Sequence, residues 1–152
     1  MTGTKMRARV VLVLTLLVLA GVILPAAAQP ASDPGLGAFA ERAGLRDVAG
    51  FVESVQALRS AHHLPPRYVT KDAARAHGWH GGGLCEAWPG HVIGGDVFNN
   101  FGAALPAAPA GGYREADLDS DCRSRGAKRL IFSNDGRAYL TVDHYKTFTP
   151  VP

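Results

Sequence analysis

The chain has 152 residues, enough for one domain, with 47% hydrophobic residues and a formal net charge of +3 at pH 7. Three of its 16 Lys and Arg residues and none of its 13 acids fall within residues 1–28, so the remainder is balanced and bulk charge gives no argument for nucleic-acid binding. The six histidines, at 62, 63, 77, 80, 91 and 144, and the two cysteines lack zinc-type spacing, so neither a metal nor a cofactor is expected.

Residues 1–28 read as a secretory signal. Lys5, Arg7 and Arg9 form a basic leader, residues 10–24 an apolar run, and Ala26-Ala27-Ala28 a small-residue cleavage site before Gln29. The run is 15 residues, short of the roughly 20 a spanning helix needs, so an uncleaved anchor is the weaker alternative. The mature protein is therefore expected outside the cell, with no membrane association after cleavage. Residues 29–44, rich in Ala, Gly, Pro and Ser, are expected to be a flexible linker or pro-segment, and the folded domain is expected over 45–152.

Asp47 is placed to cap a helix in which Val48, Phe51, Val52, Val55 and Leu58 recur at three and four residues, and Leu64-Pro65-Pro66 ends it. His62 and His63 fall in its last turn, where the helix dipole favours a protonated imidazole. Thr70 and Gly78 bracket a second, short helix with Lys71 in its first turn. The glycine-rich stretch 79–95 is expected as loop with one helical turn near 84–87, and 94–98 as a strand. Residues 101–112, nearly uncharged, are expected as an exposed loop. Thereafter Tyr113, Glu115 and Asp117 alternate against Arg114, Ala116 and Leu118. Leu130 and Phe132 alternate against Arg129, Ile131 and Ser133, and Asp135-Gly136 turns the chain into a last strand at 138–143. Helices followed by an antiparallel meander make the fold class α+β.

Two cysteines in an exported chain read as a disulfide, here Cys85 with Cys122, two unpaired buried thiols being the alternative. Five cations lie between residues 114 and 129: Arg114, Arg123, Arg125, Lys128 and Arg129. Arg123 and Lys128 are read as surface charges or as partners of Asp117, Asp119 and Asp121. The rest, with Glu115 and His144, form a set suited to cleaving RNA without metal. A carboxylate takes the proton of a ribose 2′-OH, an imidazole protonates the departing 5′-oxygen, and cations hold the phosphate whose charge grows between them.

Five blocks in order carry a resemblance. They are His63-Leu64-Pro65-Pro66-Arg67-Tyr68-Val69-Thr70-Lys71 with Gly78-Trp79, then Ile93-Gly94-Gly95-Asp96-Val97-Phe98, then 113–117, 129–133 and 143–148. Over 45–152 the chain resembles the small secreted microbial ribonucleases of the barnase type, which implies their fold, with N-terminal helices packed on a C-terminal antiparallel meander. The resemblance implies Glu115 as general base and His144 as general acid in a transphosphorylation that leaves a 2′,3′-cyclic phosphate. Lys71, Arg125 and Arg129 would be its phosphate-stabilising cations and Tyr145 a substrate contact. Asp96 would sit behind them, orienting Lys71 or Arg125, or merely stabilise a turn. The other readings are ordinary: an ion pair between Glu115 and Arg129, a surface His144, a solvated Lys71, a packed Tyr145. The implied substrate is single-stranded RNA and not DNA, which lacks the 2′-OH. The implied protein is a monomer with a barstar-like intracellular inhibitor as possible partner.

The chain departs from that pattern in the base-recognition loop. Gly102 stands where relatives carry a glutamate, and no Asp or Glu occurs from residue 97 to 114. What remains are the backbone amides near Asn99 and Asn100 and stacking on Phe101 or Tyr145. Sites that lose a matched hydrogen-bonding partner lose discrimination, so guanine preference is expected to be relaxed. The competing class is a catalytically impaired RNA-binding or interaction module that keeps the cations but not the turnover.

Overall fold

Side-chain alternation along the sheet decides which face carries chemistry. The computed structural model describes residues 33–152; the expected signal at 1–28 lies outside the described residues. Its elements are α1 (Pro34–Arg42), α2 (Val48–Ala61), β1 (Tyr68–Val69), α3 (Lys71–Ala76), β2 (Val92–Phe98), β3 (Tyr113–Asp117), β4 (Arg129–Ser133), β5 (Ala138–Thr141) and β6 (Thr149–Pro150). The six strands form one sheet in chain order, β1 parallel to β2 and every later neighbour antiparallel. The α+β expectation holds.

Ala116 and Leu118, Leu130 and Phe132, and Leu140 point to one face and pack with Leu36, Ala40, Phe51 and Val55 of α1 and α2 in the main core. Glu115, Asp117 and Arg129 occupy the opposite registers of β3 and β4. The helices therefore cover one face of the meander and leave the other for a site. A second cluster of Ala74, Trp79, Leu84 and Ile93 seats α3 and the glycine-rich segment beside β2.

The helix signals hold where their caps were legible. The Asp47 carboxylate accepts from Gly50 N at 2.8 Å, and Thr70 Oγ1 from Ala73 N at 3.2 Å. Gly78 takes the left-handed φ of +85° that stops α3. His62 is not within the last turn of α2 but just past it, at φ +58°, and His63 lies beyond.

The linker expected over 29–44 is corrected within the described residues. Asp33 Oδ1 accepts from Gly35 N and Leu36 N, Pro34 opens the helix, and α1 buries Leu36 and Ala40 while Phe39 stacks on Phe51 at 5.9 Å. Small residues lowered the apparent hydrophobicity there, but the apolar spacing at 36, 39, 40 and 43 is helical. The domain's core thus extends upstream of residue 45. Strand β2 begins two residues earlier than expected, with a bulge between Gly94 and Asp96 where Gly95 adopts φ +95°. The 101–112 loop is not wholly exposed either, since Leu105 is buried against Tyr113 and Ile131.

Candidate active site

Glu115 projects from β3 on the face the helices leave uncovered, and its carboxylate is nearly buried. Two donors from different elements meet it. Lys71 Nζ, at the start of α3, lies 2.7 Å from Oε1, and the Tyr145 hydroxyl donates to Oε2 at 2.6 Å. Burial alone would raise the carboxyl pKa, but the hydrogen bonds from Lys71 and Tyr145 and the charges of Lys71 and Arg125 outweigh it, so the pKa lies below the usual carboxylate value. Burial and the bond to Glu115 push the Tyr145 phenol up to about 12, so it stays a proton donor to the carboxylate.

Asp96, at the β2 bulge, fixes Lys71 from behind: its two carboxylate oxygens accept from the Lys71 backbone N at 3.1 and 3.2 Å. The contact is to the backbone of Lys71 and orients the start of α3.

Two residues further along β3, Asp117 gathers both expected guanidinium groups. Arg125 donates through Nε and Nη2 at 2.7 and 2.8 Å, and Arg129 Nε lies 2.9 Å from Oδ1. Burial works against the Arg125 charge, yet the bonds and charge of Asp117, with Glu115 adding to them, raise its pKa and keep it protonated. Arg129 is almost wholly buried, with Nη1 donating to the carbonyls of Arg125 and Lys128. The Glu115–Arg129 ion pair considered from the sequence does not form: Arg129 is in register with Asp117, and Glu115 with Ile131. Lys128 binds Asp119 at 2.7 Å and the Gly44 carbonyl, in keeping with its reading as a structural charge.

His144 and Tyr145 sit in the loop after β5, both with positive φ, +57° and +72°. Asp143 builds that loop, accepting from Lys146 N, Thr147 N, Thr147 Oγ1 and Thr141 Oγ1, while Tyr145 N donates to Thr141 Oγ1. Those bonds hold the Asp143 carboxyl down at about 2. The exposed His144 ring lies 4.9 Å from the Tyr145 ring, which itself touches Glu115. Asp143 and Thr141 were given no role in the sequence reading, although an Asp at the start of a loop is a turn-forming signal.

A cavity of about 360 Å³ opens beside Glu115, floored by Phe98, Tyr145 and Phe148 and bordered by Asn99, Asn100 and Phe101. Phe98 stacks on Tyr145 at 5.5 Å. Phe101 is 86% exposed at the rim. The Asn100 carboxamide is committed to its own loop, donating to Leu105 O at 2.8 Å and accepting from Leu105 N at 3.1 Å. A somewhat larger hollow, about 410 Å³, lies between α1 and β5 and has neither carboxylate nor histidine in its lining. Cys85 and Cys122 are joined, as expected. Among the described residues no three His, Cys, Asp or Glu side chains converge as a ligand set for a metal.

A family model described as ribonuclease matches residues 53–152. Ribonucleases of Bacillus intermedius and Bacillus pumilus are each 47% identical over 90 residues, 58% of this chain and 56% of theirs. A ribonuclease of Heyndrickxia coagulans is 46% identical over 90 residues, 83% of its length. The chain thus spans little more than half of the two Bacillus relatives. Two solved structures of ribonuclease Sa2, one with guanosine-2′-cyclophosphate and one with mononucleotides, are 32% identical over 39% of this chain and 63% and 62% of theirs. Their TM-scores are 0.35 and 0.36, too low to bear on the fold.

Proposed function

We propose, because this chain belongs to the ribonuclease family, that it is a secreted endoribonuclease cleaving single-stranded RNA by metal-free transphosphorylation. Glu115 removes the proton of the 2′-OH, the 2′-oxygen attacks the adjacent phosphorus, and His144 protonates the departing 5′-oxygen. The products are a 2′,3′-cyclic phosphate and a 5′-hydroxyl end. Lys71, Arg125 and Arg129 stabilise the charge that builds on the phosphorane oxygens, in a partly buried setting where such charges act more strongly than in water. The observation that carries the reading is the Glu115 carboxylate, held ionised by Lys71 and Tyr145 at the mouth of an aromatic cavity. An ionised base at neutral pH is what proton abstraction requires.

Base selection is relaxed in this reading. The cavity wall presents Phe98, Phe101, Tyr145 and backbone groups near Asn99, without a carboxylate where the resemblance would put one, at Gly102. The Asn100 side chain is occupied by Leu105 and supports the loop. Export is supported by the basic-apolar-small leader and by the Cys85–Cys122 bond. A folded unit over 33–152, acting as a monomer, completes the proposal. An intracellular inhibitor of the barstar kind would have to cover the cationic cleft.

The test uses the mature protein, RNA and EDTA, with product ends analysed for cyclic phosphate. Cleavage by wild type, lost in Glu115→Ala and His144→Ala, is the expected result. RNA bound but uncut by wild type would instead establish the non-catalytic binding module. Strict cleavage after guanine would refute the relaxed preference alone.

A further inference from the structure

Arg125 lies in the connection between β3 and β4, where no strand pairing fixes the backbone. Asp117 holds its guanidinium at 2.7 and 2.8 Å and Arg129 Nη1 donates to its carbonyl at 3.2 Å, but the backbone leading to it is supported by short-range bonds at the surface. Asp121 Oδ1 accepts from Arg123 N at 2.9 Å and Ser124 N at 2.7 Å, Asp121 N donates to Ser124 O, and Gly126 N donates to Ser124 Oγ. Residues 121–124 are all exposed, and exposed bonds of this kind exchange readily with water.

A second support comes from outside the connection. Cys122, three residues before Arg125, is bonded to Cys85, with the two Cα atoms 4.9 Å apart. At Gly83 the two backbones touch: a Cβ there would fall 2.0 Å from the Asp121 carbonyl oxygen and 2.5 Å from the Cys122 carbonyl carbon. The segment that presses on Asp121 and Cys122 is itself anchored. Leu84 and Trp79 are buried with Ala74 of α3 and Ile93 of β2, and Trp79 Nε1 donates to Gly82 O at 3.1 Å. Lys71 stands at the other end of α3. The cross-link therefore ties the unit that carries Lys71 to the connection that carries Arg125, the two cations whose charges act on Glu115.

We infer that the Cys85–Cys122 bond and the bare backbone of Gly83 are positioning elements for the Arg125 guanidinium, so that phosphate binding and turnover depend on the bond being intact. The inference rests on the reading of Arg125 as a phosphate ligand. A dithiol such as dithiothreitol opens the bond by delivering two electrons and two protons, leaving Cys85 and Cys122 as thiols and the reductant as its cyclic disulfide.

The experiment compares oxidised wild type, dithiothreitol-reduced wild type and Cys85→Ala/Cys122→Ala on a ribodinucleotide substrate. It works below each protein's melting transition, with near-ultraviolet circular dichroism to confirm the fold. Opening the bond is expected to lower kcat roughly tenfold or more, the scale of a misplaced catalytic contact. The same opening in an Arg125→Ala background is expected to change kcat less than twofold. Gly83→Ala with both cysteines intact is expected to lower kcat in the same direction. A folded double-cysteine variant with wild-type kcat overturns the inference, as does an equal loss in the Arg125→Ala background, which would mean general loosening. Titration with inorganic phosphate, followed by the Arg125 Nε–H resonance, gives a readout free of turnover. Affinity at least tenfold weaker after opening supports the positioning role even if no variant cleaves RNA, in which case only the enzyme reading fails. Equal affinity in both redox states overturns the positioning role.

Discussion

Glu115 is ionised for a reason that can be measured at a single hydroxyl. Its carboxylate would be pushed up by burial, and the Lys71 ammonium and the Tyr145 hydroxyl reverse that. Tyr145→Phe removes one of the two donors while leaving the ring on Phe98. The Glu115 pKa is then expected to rise. Since a base works in its ionised form, the acid limb of the kcat/KM profile for RNA cleavage should move to higher pH, and the rate on its alkaline side should change little. An unmoved limb would mean that Glu115 is not the titrating base. Lys71, Glu115 and Tyr145 could be singled out from the sequence through the resemblance, since each falls in one of the blocks that carry it. Their mutual contact could not, because residues 71, 115 and 145 meet only when α3, β3 and the loop after β5 converge. The same holds for Asp117, read from the sequence only as one of several acids available to nearby cations, which proves to be the shared partner of Arg125 and Arg129.

The loop after β5 presents His144 and Tyr145 on two consecutive left-handed residues, a strained conformation for side chains of that size. Asp143 holds it with bonds to Thr141, Lys146 and Thr147. Its folded pKa of about 2 lies below the ordinary 3.8, so the stability from these bonds is present above the ordinary value and is lost as pH falls toward about 2. Asp143→Asn is therefore expected to lower Tm at neutral pH and to flatten the acid fall of Tm over that interval. It should also lower kcat, as the loop carries both residues. Helix α1 makes a different contribution. Leu36 is 1% exposed and packs in the main core, so Leu36→Ala should cost about 2–5 kcal/mol in urea unfolding while leaving the midpoint of the pH profile in place. A cost under about 0.5 kcal/mol would return residues 34–42 to the linker they were expected to be. The sequence contained their signals, an Asp-Pro cap and apolar residues at helical spacing, but glycine and alanine between them diluted the pattern. The two-residue strands β1 and β6 had no signal at all, since pairing with a neighbour is the whole of what makes them strands.

At the scale of the molecule, one sheet has the helical core on one face and, on the other, the charged site residues beside a smaller apolar cluster of Leu105, Tyr113 and Ile131, and one covalent bond joins the α3 unit to the β3–β4 connection. A cross-link spanning 37 residues is expected to contribute roughly 3–4 kcal/mol by restricting the unfolded chain. Comparing guanidinium midpoints of oxidised and reduced protein checks this, and coincident midpoints would assign the bond no share in stability. The sequence by itself determined the α+β order, the two later helices with their caps and the alternation of β3 and β4; it offered the cysteine pairing from a count of two in an exported chain, and the site residues only through the family resemblance. The first three follow from local periodicity and from cap and turn chemistry. Only the tertiary structure decided that α1 belongs to the core, that Arg125 and Arg129 share Asp117, that Asn100 closes its own loop, and that Lys71 and Tyr145 meet on Glu115. The contacts on Glu115 join residues tens of positions apart and the nearer ones cross a loop or a strand connection, and burial together with sheet register, neither of which is a property of any short stretch of chain, selects them.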